Sequence, residues 1–317
     1  MKKKIKPVDL KNVRTIPLNK RKNKVSLDRL ARVYDPRREN FSHFISSMPR
    51  FLVADDLRSL VDDIVNSYKK NKPVIVMAGA HVVKVGLSPL IIDLIKKGIV
   101  KSLAVNGAAV IHDVELAMWG KTSEDVEENL QDGTFGMSKE TGEFINGILK
   151  NEIKNEECGF GEAIGKALQQ APHKNISLLA ACVKYKIPVT VHVGIGTDII
   201  HQQPSMDGAI TGEMSFRDFR LFCGVVQHLT NGGVVLNFGS AVILPEVFLK
   251  ALTVARNLGA NARGFTTANF DMIQHYRPRM NVVQRPTKNS GKGYMFTGHH
   301  EIMLPLLCAS IKNKLDS

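Results

Sequence analysis

Apolar positions along this chain fall into two alternating kinds of run. The first kind is short and wholly apolar. Pro73-Val-Ile-Val-Met-Ala78 is the clearest case, and Ser102 to Val105, Ile187-Pro-Val-Thr-Val-His192 and Gly233-Val-Val-Leu-Asn237 follow it. Such runs predict strands covered on both faces. Residues 262–267 and 293–297 complete the set of strand candidates. The second kind repeats at helical spacing. Leu57, Leu60, Val61, Ile64, Val65 and Tyr68 share one helix face, after Pro49. Further helices are predicted over Leu87 to Lys97, closed by Gly98, and from Val114 to near Gly120. Others are predicted over Ser215 to Leu229, over Leu244 to Leu258 before Gly259, and over Ile302 to Leu315. A short helix is expected over Ser26 to Tyr34, stopped by Asp35-Pro36. Thr122-Ser-Glu-Asp125 reads as a capping box that opens another helix, and 138–184 reads mostly as helices. Alternation of this kind predicts an α/β fold, a Rossmann-like parallel sheet with helices on both faces.

In such a sheet ligands bind beyond the carboxyl ends of the strands. Small or polar residues stand at the predicted turns: Gly79-Ala-His81, Asn106-Gly-Ala108, Asn237-Phe-Gly-Ser240 and Thr266-Thr-Ala-Asn269. The most informative is Asn106-Gly-Ala-Ala-Val-Ile-His-Asp113. Its small residues let a ligand approach the backbone, and the helix start beyond them offers free N–H groups to an anion. His112 and Asp113 add two ionisable groups at its mouth. Neutral imidazole near physiological pH can take or give a proton, so His112 is the candidate general base. Asp113 and Glu115 are the candidate substrate-holding or ring-orienting carboxylates. The long stretch from Gly194 to Gly212 reads as a loop, and a loop of that length inside a domain is usually functional. It carries Asp198 and His201. Glu213 and Glu246 read first as helix-start carboxylates that favour the dipole, and as candidates for pairing with a cationic substrate second. His299-His300-Glu301 stands where a cofactor phosphate or ribose can be reached.

Charge changes the picture at one end only. The formal net charge of +13 is concentrated in residues 1–40, which hold 14 Lys/Arg against 4 Asp/Glu. A basic N-terminal arm over 1–48 and a single α/β domain over 49–317 are therefore expected. The arm's basic start, Met1-Lys-Lys-Lys-Ile-Lys-Pro7, has no interleaved aromatics, so its expected contact with nucleic acid is nonspecific at most. No apolar run is long enough for a membrane span, and the basic start lacks the apolar core of a signal peptide. A cytoplasmic location is expected. Cys158, Cys182, Cys223 and Cys308 stand singly, as buried thiols do in a reducing compartment. Neither HxH nor HExxH occurs, and no metal site is expected.

Taken in order, the turns resemble those of the deoxyhypusine synthase family over roughly residues 73–311. Ala80-His-Val-Val-Lys-Val-Gly86 and Asn106 to Asp113 are similar to its first two nucleotide-binding turns. Asp207-Gly-Ala-Ile-Thr-Gly-Glu-Met214, Gly239-Ser-Ala-Val242, Thr266-Thr-Ala268 and Leu304-Pro-Leu-Leu307 are similar to later segments. Val110 to Ser123 also resembles the NAD-dependent domain of bacterial ornithine-cyclodeaminating enzymes. The resemblance implies NAD, at Gly79, His81, Gly86, Asn106, Gly107, Asp207, Gly208, Gly239, Ser240, Thr267, Ala268 and His299. It implies a homotetramer. It also implies oxidation of a small-molecule amine or amino acid, followed by transfer or cyclisation. The lysine that forms an imine in deoxyhypusine synthases has no counterpart near Arg285-Pro286, although Lys288 and Lys292 lie close by. Leu244-Pro-Glu246 replaces that family's histidine pair. His201, Glu246 and Lys292 are thus the reserve catalytic candidates. The competing readings are a metal-dependent hydrolase built on the His and Asp loops, and a non-catalytic NAD-binding scaffold.

Overall fold

In a computed structural model of the chain, residues 5–316 are described; Met1 to Lys4, the tip of the expected basic arm, and Ser317 lie outside the described residues. The chain divides near Asp55 into two units. The first, through residue 55, has three isolated 3-10 turns (Leu10–Asn12, Leu18–Lys20, Leu27–Arg29) and one helix, α1 (Phe41–Ser47). Asn40 caps α1 by accepting from the His43 amide at 3.2 Å. The helix expected over 26–34 shrinks to a single 3-10 turn. Its backbone is spent on pairing instead: Arg32 N–H donates to Ser47 O, and Arg29 O accepts from Arg50 N–H.

The second unit holds the sheet. Its elements run α2 (Val53–Lys69, beginning just before the division), β1 (Val74–Ala78), α3 (Ala80–Lys84), α4 (Ser88–Lys96), β2 (Ser102–Asn106) and α5 (Gly107–Trp119). Then come α6 (Val126–Asp132), α7 (Lys139–Glu152), α8 (Phe160–Ala167), α9 (Leu178–Lys184), β3 (Val189–His192), α10 (Gly208–Gln227) and β4 (Val234–Phe238). The chain ends with α11 (Ile243–Asn257), β5 (Thr266–Asp271), α12 (Arg285–Thr287), β6 (Lys292–Thr297) and α13 (His300–Asp316). All six strands are parallel, in the order β3-β2-β1-β4-β5-β6. Strand order reverses between β1 and β4, the place where a doubly wound sheet opens a crevice. Ile75, Met77, Ala104 and Val235 point to one face and pack with Phe222, Val226, Phe248 and Leu252 of α10 and α11. The alternate residues Val74, Val76 and Leu103 are equally buried on the other face. That double burial is why these runs carry no polar alternation.

Two departures from the sequence expectation bear on function. β5 starts at Thr266, four residues late, because Gly264 holds a left-handed φ of +67° that an extended strand does not accept. Thr267 and Ala268, expected in a cofactor turn, therefore lie buried inside β5, and the turn falls after Asp271. α10 starts seven residues early, because the Asp207 carboxylate caps it at the amides of Ala209 and Ile210. Ser215 lies beside β3, its hydroxyl donating to Val191 O at 2.9 Å. The first two turns of α10 thus rise about 10 Å past that contact. A π-helical stretch over Pro278–Gln284 runs into α12.

Two buried polar features brace the sheet. Asn237 and Asn269 are register partners on β4 and β5. The Asn237 amide donates to Asn269 Oδ1 at 2.7 Å, Asn269 donates to Gln274 Oε1 at 2.8 Å, and Gln274 donates to Phe296 O at 3.0 Å. On α10, the Asp218 carboxylate accepts from the amides of Gly161, at the start of α8, and Val191, in β3. Burial pushes its carboxyl up to about 8. Between the ordinary carboxylate range and that value, the folded chain holds a proton that the unfolded chain has lost. Stability should therefore fall as pH rises through that window. Asp218→Asn keeps the acceptor and removes the titration. Its melting temperature is expected to vary less than wild type between pH 5 and 8; thermal melts at matched pH that run parallel for the two proteins would refute this.

Candidate functional site

β2 ends at Asn106, and its side chain caps α5 by accepting from Ala109 N–H at 3.1 Å. From that start, α5 carries Ala108, His112 and Glu115 on one face, because residues three and four apart stand above one another on a helix. This face lines a cavity of about 250 Å³. Lys84 of α3, Glu124 and Asp198 close it with charge; Val126 and Phe135 close it with apolar surface. The volume lies at the low end for ligand pockets and suits a small molecule. Three carboxylates face one lysine and one histidine, so the lining favours a ligand that carries positive charge.

The histidine is set by a relay. The Thr122 hydroxyl donates a short hydrogen bond to Glu115 Oε2, which leaves the Thr122 oxygen to accept from His112 Nδ1 at 2.6 Å. Glu115 Oε1 accepts from Thr141 Oγ1 at 2.9 Å. The proton of neutral His112 therefore sits on Nδ1, and Nε2 carries the free lone pair. Burial pulls the His112 pKa below its ordinary value, Glu115 opposes that shift and Lys84 adds to it. The ring is neutral at physiological pH, the form a general base requires. Thr122, read from sequence as the first residue of a capping box, instead carries this relay, and Asp125 is the residue that caps α6. The signal was the position of Thr122 just past the Gly120 turn that ends α5.

The loop after β3 is tied down along its length. It forms a 3-10 turn over Ile199–Gln202. Gln202 donates to Phe135 O at 2.6 Å, and Gln203 donates to Gly136 O and Ser138 O, both at 2.9 Å. His201 Nδ1 accepts from the amides of Gly196 and Asp198, each at 3.2 Å. The Asp198 carboxylate accepts from the Ala108 amide and lies against Gly107, where an added Cβ would stand 2.0 Å from Oδ2. Burial pushes Asp198 up to about 6, against the lowering effect of that amide.

Other candidates fall outside this cavity. Asp113 is adjacent to His112 but turns away from the cavity to the start of α9, and this corrects its expected role at the mouth of the turn. It is 1% exposed. Its oxygens accept from Ser177 Oγ (2.6 Å) and from the amides of Leu178 (2.7 Å) and Leu179 (3.2 Å), fastening the start of α9. Burial raises it to about 6 despite those bonds. Lys292 opens β6 at the amino edge of the sheet, opposite the ligand edge, and pairs with Asp63 at 2.8 Å. It is thereby excluded from the cavity. Glu246 is engaged by Lys250, by Arg277 at 3.3 Å and by Asn281 at 2.8 Å. Asp207 and Gly208 are exposed at the start of α10, Gly86 is exposed after α3, and His299 is exposed before α13.

A second group gathers at the β1/β4 reversal. An added Cβ on Gly79 would come within 2.4 Å of Gly239 O, so the two turns touch backbone to backbone. His81 meets His300 edge to face, with ring centroids 5.7 Å apart, and His300 packs against Gly239. His300 Nδ1 is buried without a hydrogen-bond partner among the described residues, while Nε2 contacts Phe270 O at 3.2 Å. Turns bare of side chains, with an unpaired imidazole nitrogen behind them, fit a nucleotide at the reversal. The start of α5 fits one less directly, because Asp198 already accepts there. Among the described residues, no group of three His, Cys, Asp or Glu is placed to hold a metal ion, and no helix is long and apolar enough to cross a membrane.

No family model matches the chain, and no curated protein matches it. Solved structures do. The chain is similar to ArgZ, an arginine dihydrolase from the ornithine-ammonia cycle in cyanobacteria (16% identity, TM-score 0.51, 83% of this chain and 33% of that one). It is similar to AgrE in a ternary complex with ornithine and NAD+ (13% identity, TM-score 0.51, 82% and 33%). It is also similar to a putative deoxyhypusine synthase from Entamoeba histolytica (10% identity, TM-score 0.51, 88% and 95%). The chain spans about a third of the length of the first two. The shared feature is the fold: this sheet is Rossmann-like, of the deoxyhypusine-synthase kind.

The division between His112 and Asp113 is measurable without a substrate. Asp113→Ala leaves a buried hydroxyl and two buried amides without acceptors, and should cost at least about 2 kcal/mol. His112→Ala, at a half-buried cavity wall, should stay within about 1 kcal/mol of wild type. Equal losses in chemical denaturation would contradict this assignment.

Proposed function

We propose that the protein is an NAD-dependent enzyme that oxidises a small amine or amino acid in the His112 cavity, with transfer or cyclisation following. The observation that carries this reading is the Glu115–Thr122–His112 relay in a predominantly acidic cavity beside a Rossmann-type ligand edge. AgrE, whose solved structure has the same fold, binds ornithine and NAD+, and this supports the choice of substrate and cofactor. The residues that would hold NAD are Gly79, His81, Gly239, Ser240 and His300 at the reversal, with Asn106 and Gly107 alongside. NAD supplies a hydride acceptor when bound. The chain's own residues do the rest. Glu115 and Glu124 draw an ammonium into the cavity, and Lys84 offers a counter-charge to a carboxylate. Hydride leaves an amine-bearing carbon only when the nitrogen is neutral, so a proton must first be taken up, and His112 Nε2 is placed to take it. The carbon–hydrogen bond then breaks with its electron pair, and the nitrogen lone pair closes the carbon–nitrogen double bond.

Mass spectrometry of small molecules released from freshly purified protein, with calorimetry of NAD and NADH, tests the cofactor. The expected result is binding below millimolar ligand, and silence at that concentration defeats the reading. With a substrate in hand, His112→Ala should lower turnover by about 10²–10⁴-fold while leaving the thermal melt in place. Thr122→Val should lose part of that factor, because His112 then has no tautomer fixed. Undiminished turnover in both variants would remove His112 from the chemistry. We further propose a cytoplasmic homotetramer in which the basic arm lies over a neighbouring copy. Light scattering at micromolar concentration should give four chains, and a monomer would overturn it.

A further inference from the structure

The start of α5 has the form of an anion site, yet its amides already have acceptors. Asn106 takes the Ala109 amide, and Asp198 reaches across from the β3–α10 loop to take that of Ala108. The fit is tight: only glycine at 107 leaves room for Asp198 Oδ2. The fit is also incomplete. The Asp198 side chain is 6% exposed and that of His201 3%, and among the described residues Oδ2 of the one and Nε2 of the other have no hydrogen-bond partner. These two atoms stand 3.9 Å apart. Because His201 Nδ1 accepts two backbone amides, its proton is on Nε2, directed toward a carboxylate it does not reach. Two buried polar atoms left unpaired make the closed loop less stable than its contacts suggest. The loop also has the means to leave. Gly196 at a φ of +93° lies on one side of Asp198, and on the other the Gln202 and Gln203 side chains tie it to 135–138 by neutral hydrogen bonds.

We propose that Asp198 is a latch: its carboxylate occupies the anion position at the start of α5, and a phosphate-bearing ligand takes that position only when the segment around residues 194–203 lifts away. A carboxylate and a phosphate cannot share one amide, and two negative groups held together in a buried site repel. Binding of the ligand and opening of the loop are then one event, and the affinity measured for wild type is the intrinsic affinity reduced by the fraction of open loops. The inference rests on the nucleotide reading above only for the identity of the anion as a diphosphate.

The test is calorimetry of the full chain with ADP as probe. Asp198→Asn keeps the shape and removes the charge, and should bind ADP about tenfold or more tighter than wild type. Gln202→Ala loosens the loop without touching α5, and should tighten ADP binding in the same direction by a smaller factor. Hydrogen exchange read in wild type should speed up across residues 196–203 when ADP is added. ADP binding that is unchanged or weaker in Asp198→Asn would overturn the latch and make the carboxylate a bystander or a ligand contact. If wild type still binds NAD in that case, the proposed cofactor stands. If no form binds ADP or NAD, both the latch and the cofactor fall.

Discussion

Helix starts buried against a two-sided sheet must find acceptors for their first amides, and this chain meets that demand with carboxylates brought from far away in sequence. Asp113 serves α9, Asp218 serves α8 together with a β3 amide, and Asp198 serves α5. A hydroxyl or amide cap would fill the same role at lower electrostatic risk. A carboxylate adds charge that favours the helix dipole, and it also joins two elements distant in the chain. The cost is desolvation, visible as the upward shift of all three acids. The arrangement of α5, α8 and α9 around the β2–β3 side of the sheet follows from where these acids reach.

The same demand separates two neighbours in sequence. Consecutive residues on a helix point about 100° apart, and here His112 lines the cavity while the Asp113 carboxylate turns to the start of α9. Asp113 is committed to α9, and His112 is left with Glu115, one turn along the same face, as its electrostatic partner. The connection between them passes through Thr122, beyond the end of α5. A site that reads as an adjacent pair is in fact an i, i+3 pair joined by a hydroxyl from another segment.

Much of the architecture was legible because its signals are local. Wholly apolar runs marked β1 to β4, and turns of small residues marked the ligand edge. The edges of elements were less legible where a single backbone angle or cap decided them. Gly264 delayed β5 and so buried Thr267 and Ala268, while Asp207 advanced the start of α10. Cavity residues were legible as types rather than as partners. His112, Glu115, Asp198 and His201 all stood out, but their relations depend on which loop crosses which helix start, and that is set by packing between segments some 90 residues apart. Lys292 illustrates the limit. Its chemistry suited a covalent step, and only strand direction shows that it lies at the opposite edge from the cavity.

The amide ladder from Asn237 through Asn269 to Gln274 has a mechanical consequence. Side-chain amides that exchange hydrogen bonds across the sheet interior resist shear between strands, since a slip of one residue would strand several buried polar groups at once. β4, β5 and the turn reaching β6 therefore behave as a plate. Among the described residues no side-chain amide ladder of this kind crosses from β2 to β3, where Asp218 braces β3 against α8 and Gln202 and Gln203 tie the following loop to 135–138. The bracing is thus internal to the sheet on one side of the strand reversal and supplied by helix and loop side chains on the other. A ligand lying across the reversal would rest one end beside the amide ladder and the other beside the loop.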